Sequence, residues 1–121
     1  EVFYAPHSRL AGIARPDVDA VPQLRVLAES EEAGLHLMST DNGREIYVMG
    51  HMEYDKETLY NEYTRDKGAG LNPKLPRHYF VDDDPEKGIL FRWRSHAHLL
   101  FSNWLNYYVY QSTPFDLNEL S

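Results

Sequence analysis

The sequence predicts an α/β fold, on three observations. Short apolar runs of strand length fill the chain as far as Gly50, broken by prolines and a strong turn. After His51 the pattern changes to a helical period in "YDKETLYNEYTRDKGAGL". A second helical stretch, "SHAHLLFSNWLNYYVYQ", occupies residues 95–111.

Each element has a local reason. "VFYAPHSR" reads as a short strand that stops at Pro6 and delivers His7, Ser8 and Arg9 to its end. Residues 10–24 hold Pro16 and Pro22, so a loop with at most a short helical turn is expected. "LRVLAES" (24–30) and "AGLHLMST" (33–40) are strand candidates, the second alternating. Asp41-Asn42-Gly43 predicts a hairpin turn, because Asn and Gly accept the positive φ angles it needs. "REIYVMG" (44–50) is the return strand. Its apolar run Ile46 to Met49 predicts burial on both faces. The next helix has Asp55 as its expected N-cap, Leu59 and Tyr63 on one face, and Gly68 and Gly70 as its end. Residues 72–91 read as a Pro- and Asp-rich loop. In the last helix Leu100, Trp104, Tyr107 and Tyr108 share a side that Phe101, Leu105 and Val109 extend. That width predicts a largely buried helix, capped by Ser95 and stopped by Pro114. No internal repeat or low-complexity tract is present.

Composition narrows the function. The 121 residues suit one domain or a piece of one, and 42% apolar and 13% aromatic residues suffice for a core. Asp plus Glu outnumber Lys plus Arg by 19 to 12, a net charge of -7 that repels nucleic-acid backbones and anionic membranes. No apolar run approaches the roughly 18–20 residues that span a bilayer. "EVFYAPHSRL" has no basic segment or long apolar core, so it is no signal peptide, and a soluble cytoplasmic protein is the default expectation. There is no cysteine, hence no disulfide, thiolate metal site or cysteine nucleophile in this chain. Because "EVFYAP" already reads like a strand, a piece of something longer is expected.

His51 and Glu53 are the first candidate pair. At i and i+2 in extended or turn geometry they can face the same way. Glu53 would fix one ring nitrogen and leave the other as a base. A strand-end histidine beside an unrelated helix-initiating glutamate is the plain alternative. H-x-E also opens the zinc deaminase signature, but that motif needs a C-x-x-C that is absent. No metal site is predicted. His96 and His98 point to different helix faces, so one core-facing or capping and one exposed histidine are expected. Arg92 and Arg94 read as surface or inter-element ion-pair residues. Ser8 could hydrogen-bond a substrate. Arg65 could grip a carboxylate with its fork, but a solvated helix arginine is the better reading of the residue alone. "DDDPEK" (82–87) reads as a solvated loop.

The blocks "APHSR", "VLAESEEAG", "GHMEYDKETL", "EYTRDKGAGLNP" and "WRSHAHLLFSNWLNYYVYQSTPFDL", in that order, resemble the C-terminal part of the homoserine O-acyltransferases. These are the O-succinyl- and O-acetyltransferases of the class I glutamine-amidotransferase-like group. The resemblance covers essentially residues 1–121 as one portion of the acyltransferase domain. "SNWLNYYVYQSTPFDL" and "GH-x-EYD" are its specific motifs. It implies a flavodoxin-like α/β fold, so that these strands would belong to a parallel sheet. It implies acyl transfer from acetyl-CoA or succinyl-CoA to L-homoserine through a cysteine thioester, in methionine biosynthesis, by a homodimeric parent with no bound cofactor. His51 matches the catalytic histidine, Glu53 the catalytic glutamate, and Ser8 and Arg65 substrate-binding residues. Met52 departs from the family's usual proline. The nucleophilic cysteine, a substrate-binding lysine and the residue that selects the acyl donor belong to the part of the family that this chain does not match. A class I glutamine amidotransferase fragment and a non-catalytic binding module are the competing expectations.

Overall fold

The computed structural model describes residues 2–113 and 116–119, and it is α/β, with a small antiparallel sheet and helices. Pro114, the expected helix stop, lies outside the described residues. The chain forms two compact units. One combines the segment up to Ala11 with Gly50–Ala97; the other combines Gly12–Met49 with the chain from His98 onward.

The second unit holds the sheet. A short helix, α1 (Arg15–Asp19), leads into β1 (Leu24–Ser30), β2 (Gly34–Thr40) and β3 (Ile46–Val48). The strand order is β1-β2-β3 and both pairings are antiparallel, with Val26 opposite Met38 and Leu37 opposite Val48. The hairpin expected between residues 33–40 and 44–50 is present, whereas the parallel sheet implied by the resemblance is not what these strands form. The reason is local: turns short enough to join adjacent strands can only make antiparallel pairs. Asn42 Oδ1 accepts from Arg44 N at 3.1 Å, and Gly43 takes φ 68°. The double-sided burial expected of residues 46–49 falls instead on β2. It is the central strand, buried from Leu35 to Ser39, whereas Tyr47 on the edge strand β3 is exposed. Val18, Leu35 and Met38 form the core here, with Leu24, Val26 and Met49 against them.

In the first unit, residues 2–9 form no strand. Their backbone bonds go elsewhere: Tyr4 N donates to His96 Nδ1 at 3.2 Å, and Pro6 O accepts from His51 N at 2.6 Å. The helix α2 (Thr58–Gly68) begins later than expected. Asp55 is not its cap; instead Thr58 Oγ1 accepts from Asp55 N at 3.1 Å. Leu59 of α2 packs with Tyr79, Phe80 and Trp93, joined by Tyr54, Leu75 and Ile89. Most of that core comes from the segment read as a loop. It is held by a Phe80–Ile89 bridge and by Trp93 Nε1 donating to Tyr54 O at 2.8 Å. Asp82, Asp83, Glu86 and Lys87 are exposed, as a solvated loop requires.

The last helix, α3 (Arg94–Trp104), starts at Arg94, so Ser95 is inside it rather than capping it. It continues through a π-turn at Leu105–Val109 into α4 (Tyr110–Ser112). The expected deep burial is not found. Ala97 is buried, but Leu99, Phe101, Leu105, Tyr107 and Tyr108 are exposed. His96 is half-buried and His98 exposed, the division their spacing demands. No helix among the described residues is long and apolar enough to cross a membrane.

Candidate active site

The turn after Gly50 builds the site within the first unit. His51 N is tied to Pro6 O, and Tyr54 N donates back to His51 O at 3.3 Å. This tight turn brings the side chains at i and i+2 to one side. His51 Nδ1 and Glu53 Oε1 are 2.9 Å apart, so the pair exists as a hydrogen bond. Met52, between them, is buried and anchors the turn, a job that its side chain can do where a proline would act through backbone stiffness.

The other ring nitrogen, Nε2, lies 3.2 Å from the carbonyl oxygen of Ser8. A carboxylate and a carbonyl can only accept. Each ring nitrogen thus faces an acceptor. To act as a base, Nε2 has to release Ser8 O and present its lone pair to the reacting group. The ring also lies flat on Tyr54, with centroids 4.5 Å apart and an interplanar angle of 11°.

Tyr54 and Ser8 have a common partner. Glu62 of α2 accepts from Tyr54 Oη at 2.6 Å through Oε1, and from Ser8 Oγ at 2.7 Å through Oε2. Burial, and then the bond to Glu62, push the Tyr54 phenol up to about 12, so it stays a donor at neutral pH. With its proton committed to Glu62, Ser8 Oγ offers lone pairs to a ligand.

The structure thus brings together three of the four residues singled out from sequence: His51, Glu53 and Ser8. Arg65 makes its hydrogen bonds to Asp66 instead. Its Nε and Nη2 both lie 2.8 Å from Asp66 Oδ1, and the side chain is largely exposed. Asp66 raises the guanidinium pKa, with smaller contributions from Glu62 and Tyr54. Glu62 and Tyr54 are the members that sequence reasoning missed. The signal available was slight: Glu62 lies on α2 three residues before Arg65, and Tyr54 directly follows the His-x-Glu. An open depression of about 370 Å³, lined by Lys56, Tyr60, Asn61, Phe80 and Ile89 among others, includes none of these site residues. Among the described residues no group of three His, Asp or Glu side chains could hold a metal ion.

A histidine hydrogen-bonded to a carboxylate, with a serine close by, is an arrangement that can serve nucleophilic acyl transfer. The comparisons with known proteins place the sequence. The family model for homoserine O-succinyltransferase matches residues 1–115, and the chain belongs to that family. The chain is 59% identical over 115 residues to a homoserine O-acetyltransferase of Clostridium acetobutylicum, covering 95% of this chain and 38% of that protein. It is 54% identical over 121 residues to a homoserine O-succinyltransferase of Shewanella amazonensis, covering 100% of this chain and 38% of that protein. The chain therefore spans about two-fifths of the length of the curated relatives it matches.

Proposed function

We propose that this chain is the base-bearing part of a homoserine O-acyltransferase. The single observation that carries the reading is the His51–Glu53 hydrogen bond at 2.9 Å, in a chain of that family. The acyl donor is acetyl-CoA or succinyl-CoA and the acceptor is the hydroxyl of L-homoserine. A cysteine supplied outside this sequence attacks the acyl-CoA carbonyl, coenzyme A leaves as the thiol, and a thioester forms. His51 then takes the proton of the homoserine hydroxyl as its oxygen attacks the thioester carbonyl. Collapse releases O-acyl-homoserine, and the proton on His51 returns to the cysteine sulfur. Glu53 accepts from Nδ1–H, fixes the tautomer and stabilises the imidazolium as it forms. Ser8 contributes to the homoserine site, and Arg65 grips the substrate carboxylate after exchanging Asp66 for it.

The wider reading is a cytoplasmic homodimer in methionine biosynthesis, with the flavodoxin-like fold of its group and no bound cofactor. The amidotransferase alternative draws no support from the relatives' names. Glutamine hydrolysis by the full-length protein would revive it.

The role of Glu53 is tested by Glu53→Gln in the full-length protein. The amide still occupies the space, but it cannot stabilise the imidazolium as a carboxylate does. The turnover number should fall by roughly 10²-fold while the Michaelis constant for homoserine holds. An unchanged turnover number would remove the orienting role.

A further inference from the structure

We propose that Glu62 is a positioning residue for His51, acting through Tyr54 and Ser8. This rests on the reading of His51 as the base. Three groups touch the imidazole: Glu53 at Nδ1, the Tyr54 ring on its face, and the Ser8 carbonyl at Nε2. Two of those three residues are tied to Glu62, at 2.6 Å and 2.7 Å. Each carboxylate oxygen takes a different hydroxyl, so no hydrogen bond is shared.

The bland reading of a helix glutamate is a solvated face residue paired with a cation one turn away. Glu62 does not fit it. It is half-buried, and the nearest candidate cation on its own helix, Arg65, is engaged by Asp66. Its partners lie on two other segments, the turn after Gly50 and the stretch before Ala11. Glu62 therefore fastens both segments to the rigid helix α2. Without it the Tyr54 ring can rotate off the imidazole and Ser8 O can drift from Nε2. A base displaced by about 1 Å loses on the order of 10²-fold in rate.

The test uses the full-length protein with acyl-CoA and homoserine, and compares Glu62→Leu with Glu62→Gln. Leucine removes both acceptors. Glutamine can still bond both hydroxyls, one accepting from its Nε2–H and one donating to its carbonyl. Glu62→Leu should lower the turnover number by about tenfold or more, and Glu62→Gln should recover most of it. The His51 ring-proton resonances, assigned with His51→Ala, should move downfield in Glu62→Leu as the stacked tyrosine leaves, and stay near wild type in Glu62→Gln. A folded Glu62→Leu with wild-type turnover, or with reduced turnover and unmoved His51 resonances, overturns the proposal. Should Glu62→Leu fail to fold, Tyr54→Phe decides. It keeps the ring and removes only the tether, so a moved His51 signal with reduced turnover supports the role, and an unmoved signal overturns it. Wild-type turnover in His51→Ala would instead sink the base assignment itself, while the resonances still report whether Glu62 holds the ring.

Discussion

At the scale of single residues, the site is a set of side chains whose hydrogen-bonding capacities nearly close on one another. Glu53 and Ser8 O face the imidazole with acceptors only. Glu62 in turn faces two hydroxyls with acceptors only. Arg65, proposed above to hold the homoserine carboxylate, pairs in this structure with its own chain neighbour Asp66. An adjacent, exposed ion pair is worth little and is readily exchanged for a bidentate carboxylate. Arg65→Lys loses the fork but keeps the charge. In the full-length protein it should raise the Michaelis constant for homoserine by roughly tenfold with a smaller effect on the turnover number. Steady-state kinetics at varied homoserine checks this, and an unchanged constant would mark Arg65 as a surface residue.

At the scale of elements, the hairpin between β2 and β3 shows how much a short sequence can determine. Gly43 takes φ 68°, and a Cβ placed there would overlap the Tyr108 ring. Trp104 Nε1 donates to Gly43 O at 2.9 Å, so the turn and the last helical segment meet at this glycine. Gly43→Ala should cost about 1–3 kcal/mol, from the positive φ and from the displaced ring together. A denaturant midpoint lowered at constant slope would confirm it; an unmoved midpoint would contradict it. The strands at 24–30 and 34–40, the turn and α2 were legible because alternation, Asn-Gly chemistry and helical period are local signals. What was illegible depends on neighbours. Residues 2–9 have strand composition, yet Tyr4 N and Pro6 O bond to His96 and His51 instead of to a strand. Ile46–Met49 is apolar enough for a central strand, yet among the described residues β3 lies at the sheet edge and pairs with β2 alone. Tyr79 and Phe80 lie in a stretch without period, and the Phe80–Ile89 bridge together with packing on Leu59 and Trp93 makes them core. The site divides the same way. His51 and Glu53 are close in sequence and could be paired from spacing. Glu62 reaches Ser8 across 54 positions, and no spacing rule reports that.

At the scale of the whole molecule, the chain carries the hydrogen-bonded pair His51 and Glu53 proposed above as base and orienter, but no cysteine. It spans about two-fifths of relatives named as homoserine acetyl- and succinyltransferases. The exposed Leu99, Phe101, Leu105 and Tyr108 belong to a helical stretch whose apolar width the sequence reads as buried. The proposed role of His51 as the base for acyl transfer to homoserine is checked by His51→Ala in the full-length protein, followed as O-acyl-homoserine formed per enzyme at saturating substrates. The turnover number should fall by roughly 10²–10⁴-fold. Turnover at the wild-type level would contradict it.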